Sequence, residues 1–210
     1  MSSYDIASCV KFCEGLRVTS LVQMTKWAGI SLAAAASALV SGCSSLSDSL
    51  DTRPNAGPCP VAASLYDASR KVEIKGEELY SNVGFTGEII GVSGLCRYVD
   101  DQPIDMDMEI TFAFGRGPAA EGDTASYDYF VSVTRRNRAV LEKRVFPLTV
   151  TFPKGADRVT ATETINKIVI PRSDETISGL NFEVLVGFDL SEDELNFNRA
   201  GKRFRVNAGQ

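Results

Sequence analysis

The 210-residue sequence contains no histidine at all, and that absence removes a large share of enzyme chemistry. Ser-His-Asp and Cys-His nucleophilic sites are excluded, as are zinc or iron centres with imidazole ligands. Acid–base work would fall to carboxylates or lysines. No run of roughly 20 apolar residues occurs, so no segment has the length of a spanning helix. Tryptophan occurs once, at Trp27, which removes the core tryptophan of a true immunoglobulin domain. Gly115-x-Gly117 lacks a Gly-Lys-Ser/Thr ending and runs into Pro118, so it is not a nucleotide loop. No cofactor site is legible.

What is present begins with an address. Met24-Thr25-Lys26 precedes fourteen apolar or small residues, Trp27 to Val40, which lead into Ser41-Gly42-Cys43. A charged start, an apolar stretch of secretory length and a small-residue cleavage site make an export signal. No twin arginine precedes it, which favours the general secretory route.

The stretch Leu39-Val40-Ser41-Gly42-Cys43 resembles the lipobox of bacterial lipoproteins, with Val40 where leucine is commonest. The resemblance implies cleavage before Cys43, diacylglycerol on its sulfur and a third acyl chain on the new amino terminus. At about 0.8 kcal/mol per buried methylene, three chains would hold the protein on a bilayer almost permanently. Ser44 follows where aspartate is absent, as in lipoproteins sent to the outer membrane. The alternative is an ordinary secretory peptide cut nearby, for example after Ala36-Ser37-Ala38. The chain as a whole is similar to small alphaproteobacterial envelope lipoproteins, judged from this box, the Cys59-Pro60 start and Val186-Gly187-Phe188-Asp189-Leu190 to Asn198-Arg199. That likeness implies no activity.

Residues 1–23 would overextend the charged lead-in, through Asp5, Lys11, Glu14 and Arg17, so translation is expected to start at Met24. Cys9 and Cys13 would then be missing from the protein. Of the five cysteines, Cys43 is the acylation site, and Cys59 and Cys96 remain. An even count beyond the anchor fits one disulfide in an oxidising periplasm; two buried thiols are the alternative.

With the three basic and two acidic residues up to Cys43 removed, 19 basic and 25 acidic residues remain, a charge of −6. An acidic field of this kind disfavours nucleic acid as a partner. Envelope proteins, or envelope polymers, are the expected partners.

Residues 43–58 are rich in Ser, Asp, Pro, Asn and Gly and read as a flexible tether, on the order of 20 Å long as a coil. From Cys59 to the end a single all-β domain is expected. Ile104, Met106, Met108, Ile110, Phe112 and Phe114 alternate with Asp105, Asp107, Glu109, Thr111 and Ala113, the pattern of an antiparallel strand with one wet face. Further strands are predicted at 61–66, 72–74, 85–98, 127–135, 139–150, 158–170 and 181–188. The segment 85–98 is long and carries Gly87, Gly91 and Gly94, so a bend or bulge is expected there. Gly115 to Asp123 reads as a loop long enough to move. Seven or eight strands without helical repeats argue for a sandwich, preferably an immunoglobulin-like or fibronectin-like one. Ser191-Glu192-Asp193-Glu194 is a capping box for one short C-terminal helix, expected to close an end or edge of the sandwich. The basic tail Lys202 to Val206 is expected to dock on an acidic strand face or to stay free.

Two charge clusters remain. Asp100, Asp101, Asp105, Asp107 and Glu109 form a solvated face or, less well, oxygen ligands for calcium, since no Asp-x-Asp-x-Asp-Gly loop occurs. Arg135, Arg136, Arg138, Lys143 and Arg144 mark a partner-binding patch or cross-strand charge matching worth roughly 0.2 to 1 kcal/mol per pair. The reading is of a lipid-anchored, non-enzymatic protein-binding or scaffolding module. The alternative is a wall-glycan-binding protein or carboxylate-based hydrolase, which needs two converging acids.

Overall fold

The computed structural model describes residues 11–13, 53–136 and 138–204. Cys43, the export signal and most of the tether lie outside the described residues. Apart from Arg53 and Pro54, those described belong to one compact unit.

Among the described residues, nine strands form two sheets. β1 (Lys11–Cys13), β3 (Arg70–Ile74), β4 (Val83–Arg97), β5 (Ile104–Arg116) and β8 (Arg158–Ile170) make the first, in the order β1-β8-β5-β4-β3. β2 (Val61–Ser64), β6 (Thr124–Arg135), β7 (Ala139–Thr151) and β9 (Phe182–Phe188) make the second, ordered β2-β9-β6-β7. All neighbours are antiparallel except β2 and β9, which run parallel. The sheets pack face to face as the expected all-β sandwich, with one short helix, α1 (Glu192–Arg199), after the last strand.

The period-two pattern of β5 explains the core. Ile104, Met106, Met108, Ile110, Phe112 and Phe114 are all buried, and they face β6 and β9 across the sandwich. Phe112 meets Tyr129 and Phe188 at 5.1 and 5.8 Å between ring centres, and Phe114 meets Tyr127 at 4.7 Å. Such tilted ring pairs add about 0.5–1.5 kcal/mol each beyond area burial. Gly87 makes room for this cluster: a β-carbon there would lie 2.9 Å from Phe188 and 3.2 Å from Tyr127. The anticipated irregularity of the long strand is a register shift between Ile89 and Gly91.

Every sheet edge is blunted. β2 is four residues long, and β7 carries Pro147, which cannot donate to a neighbouring strand. α1 lies against β3: Asn198 Nδ2 donates to the carbonyls of Asp67 and Arg70, and Lys71 pairs with Glu194 at 3.0 Å. The capping box forms as the sequence predicts, with Glu194 N–H on Ser191 Oγ and Ser191 N–H on Glu194 Oε2. β8 has two devices. Glu163 shares the inward side of the strand with Val159, Ala161 and Ile165. A bulge then places Lys167 at φ 61°, its N–H held by Asp107 Oδ1 at 2.8 Å. Inward charges and bulges both hinder pairing with another chain. β1, which falls within the segment expected to precede Met24, touches β8 only beside the bulge, through Val169 and Asn166.

Two loops are tied down by hydrogen bonds. Asn55, inside the segment read as tether, takes N–H from Tyr98 through its side chain and donates to the Cys96 carbonyl, while Ala56 N–H reaches Tyr98 O. The loop after β5 is pinned rather than mobile, because Gly117 N–H and Ala119 N–H bond to the carbonyls of Gly84 and Val83. A β-carbon on Gly117 would come within 2.4 Å of Val83 O, so only glycine allows that approach.

Candidate functional site

Cys59 and Cys96 are joined as a disulfide, with Cα atoms 5.6 Å apart across 37 residues of sequence. The bond fastens the entry to β2 onto the end of β4. Beside it, the buried Tyr98 hydroxyl donates to Pro58 O at 2.8 Å and accepts from Gly179 N–H at 3.1 Å. This corner is a structural knot; its polar groups are all occupied.

The two charge clusters of the sequence lie in different sheets. Asp105, Asp107 and Glu109 run along the outer face of β5, whose neighbours are β4 and β8. Arg135, Arg136, Arg138, Lys143 and Arg144 belong to the β6–β7 hairpin of the other sheet, so the acidic row is not their match. Their acids are local: Arg136 pairs with Glu183 at 3.2 Å, Lys143 with Asp189 at 3.0 Å and Arg144 with Glu142 at 3.8 Å. The periodicity that identified the strands carries no information on which sheet each joins. In the acidic row, Asp107 is spent on the bulge backbone and Asp105 faces Lys167 Nζ at 3.9 Å. Among the described residues no three acidic or thiol side chains converge as a metal-ligand group.

Two recesses gather carboxylates: one of about 520 Å³ is lined by Glu73, Glu78, Asp193 and Glu194, with Lys71 paired to Glu194, and the other is smaller. Glu73 and Glu121 flank Lys75 Nζ at 3.9 and 3.0 Å, in a hollow of about 350 Å³ that also includes Lys71 and Tyr127. Glu73 Oε2 further accepts the Phe85 N–H at 3.0 Å. Both acids are therefore held as partners of a cation. Burial, aided by the Glu73 charge, pushes the Tyr127 hydroxyl well above its ordinary range, and it donates to Thr86 O. The geometry is that of a lysine shared between two carboxylates.

The site that sequence reading missed is basic. On the outer face of the first sheet lies a trough of about 480 Å³. Its floor is made of small residues from adjacent strands, Thr86, Ala113, Gly115 and Thr160. Arg70, Lys71, Arg158, Lys202 and Arg203 line it, with Glu88 as the acidic member and Phe204 as an aromatic wall. The tail that forms this wall does not reach the acidic row: Lys202 pairs with Glu78, Arg203 donates to the Tyr66 hydroxyl, and Phe204 stacks on Phe197 at 5.9 Å. Arg205 and Val206 lie outside the described residues. Arg70 sits 5.3 Å over the Tyr66 ring and 3.6 Å from Glu88. The only advance signal was the basic tail; the adjacent Arg70 and Lys71 and the remote Arg158 meet only through strand pairing.

Among the described residues no helix is long and apolar enough to cross a membrane. None leaves a buried side-chain nitrogen or oxygen without a partner. No protein family, curated protein or solved structure matches this chain, so its sandwich and its basic trough stand as its own evidence.

Proposed function

We propose that the chain is a lipid-anchored, non-enzymatic envelope module that binds protein partners from the periplasmic face of the outer membrane. The observation that carries this reading is Leu39-Val40-Ser41-Gly42-Cys43 at the end of an export-length apolar stretch, with Asn55 twelve residues on already bonded to the sandwich. The Cys59–Cys96 disulfide supports an oxidising compartment. The charged surfaces support binding over catalysis, because the acids of the recess beside Tyr127, Glu73 and Glu121, are both engaged with Lys75. That pairing also weighs against the carboxylate-hydrolase alternative, which needs one protonated and one ionised acid.

Mass spectrometry of the protein extracted from membranes tests the anchor directly. The expected product begins at Cys43 and carries three acyl chains, and Cys43→Ser leaves the membrane fraction. An unmodified Cys43, or a Cys43→Ser protein that still sediments with membranes, rejects the reading. Crosslinking in intact envelopes followed by identification of the adducts then names the partner.

A further inference from the structure

We infer that the basic trough on the outer face of the first sheet is a docking site for an extended, acidic segment of a partner protein. This rests on the reading of the chain as a protein-binding module and supplies the chemistry of what it binds.

The first argument is charge. The chain is acidic overall, with 27 acidic against 22 basic residues. Yet five cations and one carboxylate line this trough, with Lys71 and Lys202 also held by Glu194 and Glu78 beside it, so recognition falls on the guanidinium groups. Arginine predominates at its two ends, and the planar guanidinium suits bidentate recognition of carboxylates.

The second argument is spacing. Arg70 is opposite Glu88, Glu88 opposite Ala113 and Ala113 opposite Thr160, while Arg158 is opposite Gly115 two residues along. Arg70 and Arg158 therefore stand three strand steps and two residues apart, about 16 Å between backbones at ~4.8 Å per step and ~3.4 Å per residue, a span that two long side chains leaning inward shorten. One small anion does not span that gap. An extended peptide rises about 3.4 Å per residue, so acids four positions apart match it.

The third argument is relief. Thr86, Ala113, Gly115 and Thr160 give the floor between the charged ends only small side chains, which lets a backbone lie close to the sheet. Arg70 and Arg203 are held at one end by Tyr66, which each contacts. Glu88, 3.6 Å from Arg70, occupies the position an incoming carboxylate would take. It acts as a resident competitor.

The test uses the full-length protein in mild detergent and fluorescein-labelled Gly/Ser/Thr peptides in a polarisation assay. One peptide carries two aspartates four residues apart; a second carries them adjacent. The spaced peptide is expected to bind several-fold more tightly, and binding should weaken about tenfold between 50 and 300 mM salt, as screening requires. Arg158→Ser is expected to weaken it about tenfold, Glu88→Gln to tighten it about threefold, and Lys167→Asn, at the opposite end of β8, to leave it unchanged. Arg70 is spared as a test because it also packs on Tyr66. Equal binding of the two peptides, indifference to Arg158→Ser, no binding at 50 mM salt, or tighter binding of an oligogalacturonate overturns the proposal. A Cys43→Ser protein that loses its membrane but keeps the peptide separates failure of the anchor from failure of the trough.

Discussion

The Arg172 guanidinium lies over the ring of Tyr98, 4.8 Å from its centre, and donates to four backbone carbonyls at once. Those carbonyls belong to Asp100, Gln102, Glu175 and Ile177, so one side chain ties the β4–β5 turn to the segment leading into β9. Tyr98 itself ties the domain's entry to the same segment through Pro58 and Gly179.

Tyr98→Phe is expected to destabilise the domain by about 1–3 kcal/mol, because Pro58 O and Gly179 N–H lose a buried partner. Arg172→Lys should cost a comparable amount, since an ammonium cannot reach the same set of carbonyls. Chemical denaturation with an unchanged m-value checks both.

Reducing the disulfide is expected to cost about 3 to 4 kcal/mol for a loop of this length in the chain-entropy model. A Cys59→Ser/Cys96→Ser double variant should show the same loss without added reductant. Comparing the two melting curves with that of the oxidised protein decides it.

Burial raises the Glu163 carboxyl above its ordinary range. The folded state therefore holds this proton more tightly than the unfolded chain. The burial penalty is absent at pH below the ordinary glutamate range, and it appears as pH rises through that range and on through the raised folded value. Glu163→Gln should accordingly flatten this part of the stability profile and stabilise the protein at neutral pH by well under 1 kcal/mol, given the group's partial exposure. Glu163→Val should instead promote association through the β8 edge, which light scattering would register.

Ser191→Ala removes the oxygen that accepts the Glu194 N–H and is expected to cost about 0.5–2 kcal/mol. The loss should appear first as faster amide exchange in α1 and in β3, which the helix covers through Asn198 and Lys71. Exchange rates in the β5–β8 pair should stay unchanged.

The strands were readable because one face of each is wet. Ile104 to Phe114 alternates without a break, and the strand is found from Ile104 to Arg116. Ser191 and Glu194 sit at the spacing that a helix start requires, and the box forms. The pairing of distant elements was not readable. Nothing near Arg172 in sequence points to its partners at Asp100 and Gln102, some 70 residues away. The hairpin arginines and the β5 carboxylates suggested each other by composition, yet sheet membership parts them. Arg70, Arg158 and Arg203 form one surface only because β3, β4, β5 and β8 lie side by side with the tail across them. No local pattern encodes that neighbourhood.

The position of the disulfide has a mechanical consequence. Tension arriving from the amino-terminal side reaches Cys59 before it reaches β2, and the sulfur bridge diverts it to Cys96, at the end of a strand flanked by β3 and β5. The four-residue β2, parallel to β9 and easily stripped away, is thereby shielded from load. A tugged molecule must tear its five-stranded sheet before it can shed the short β2.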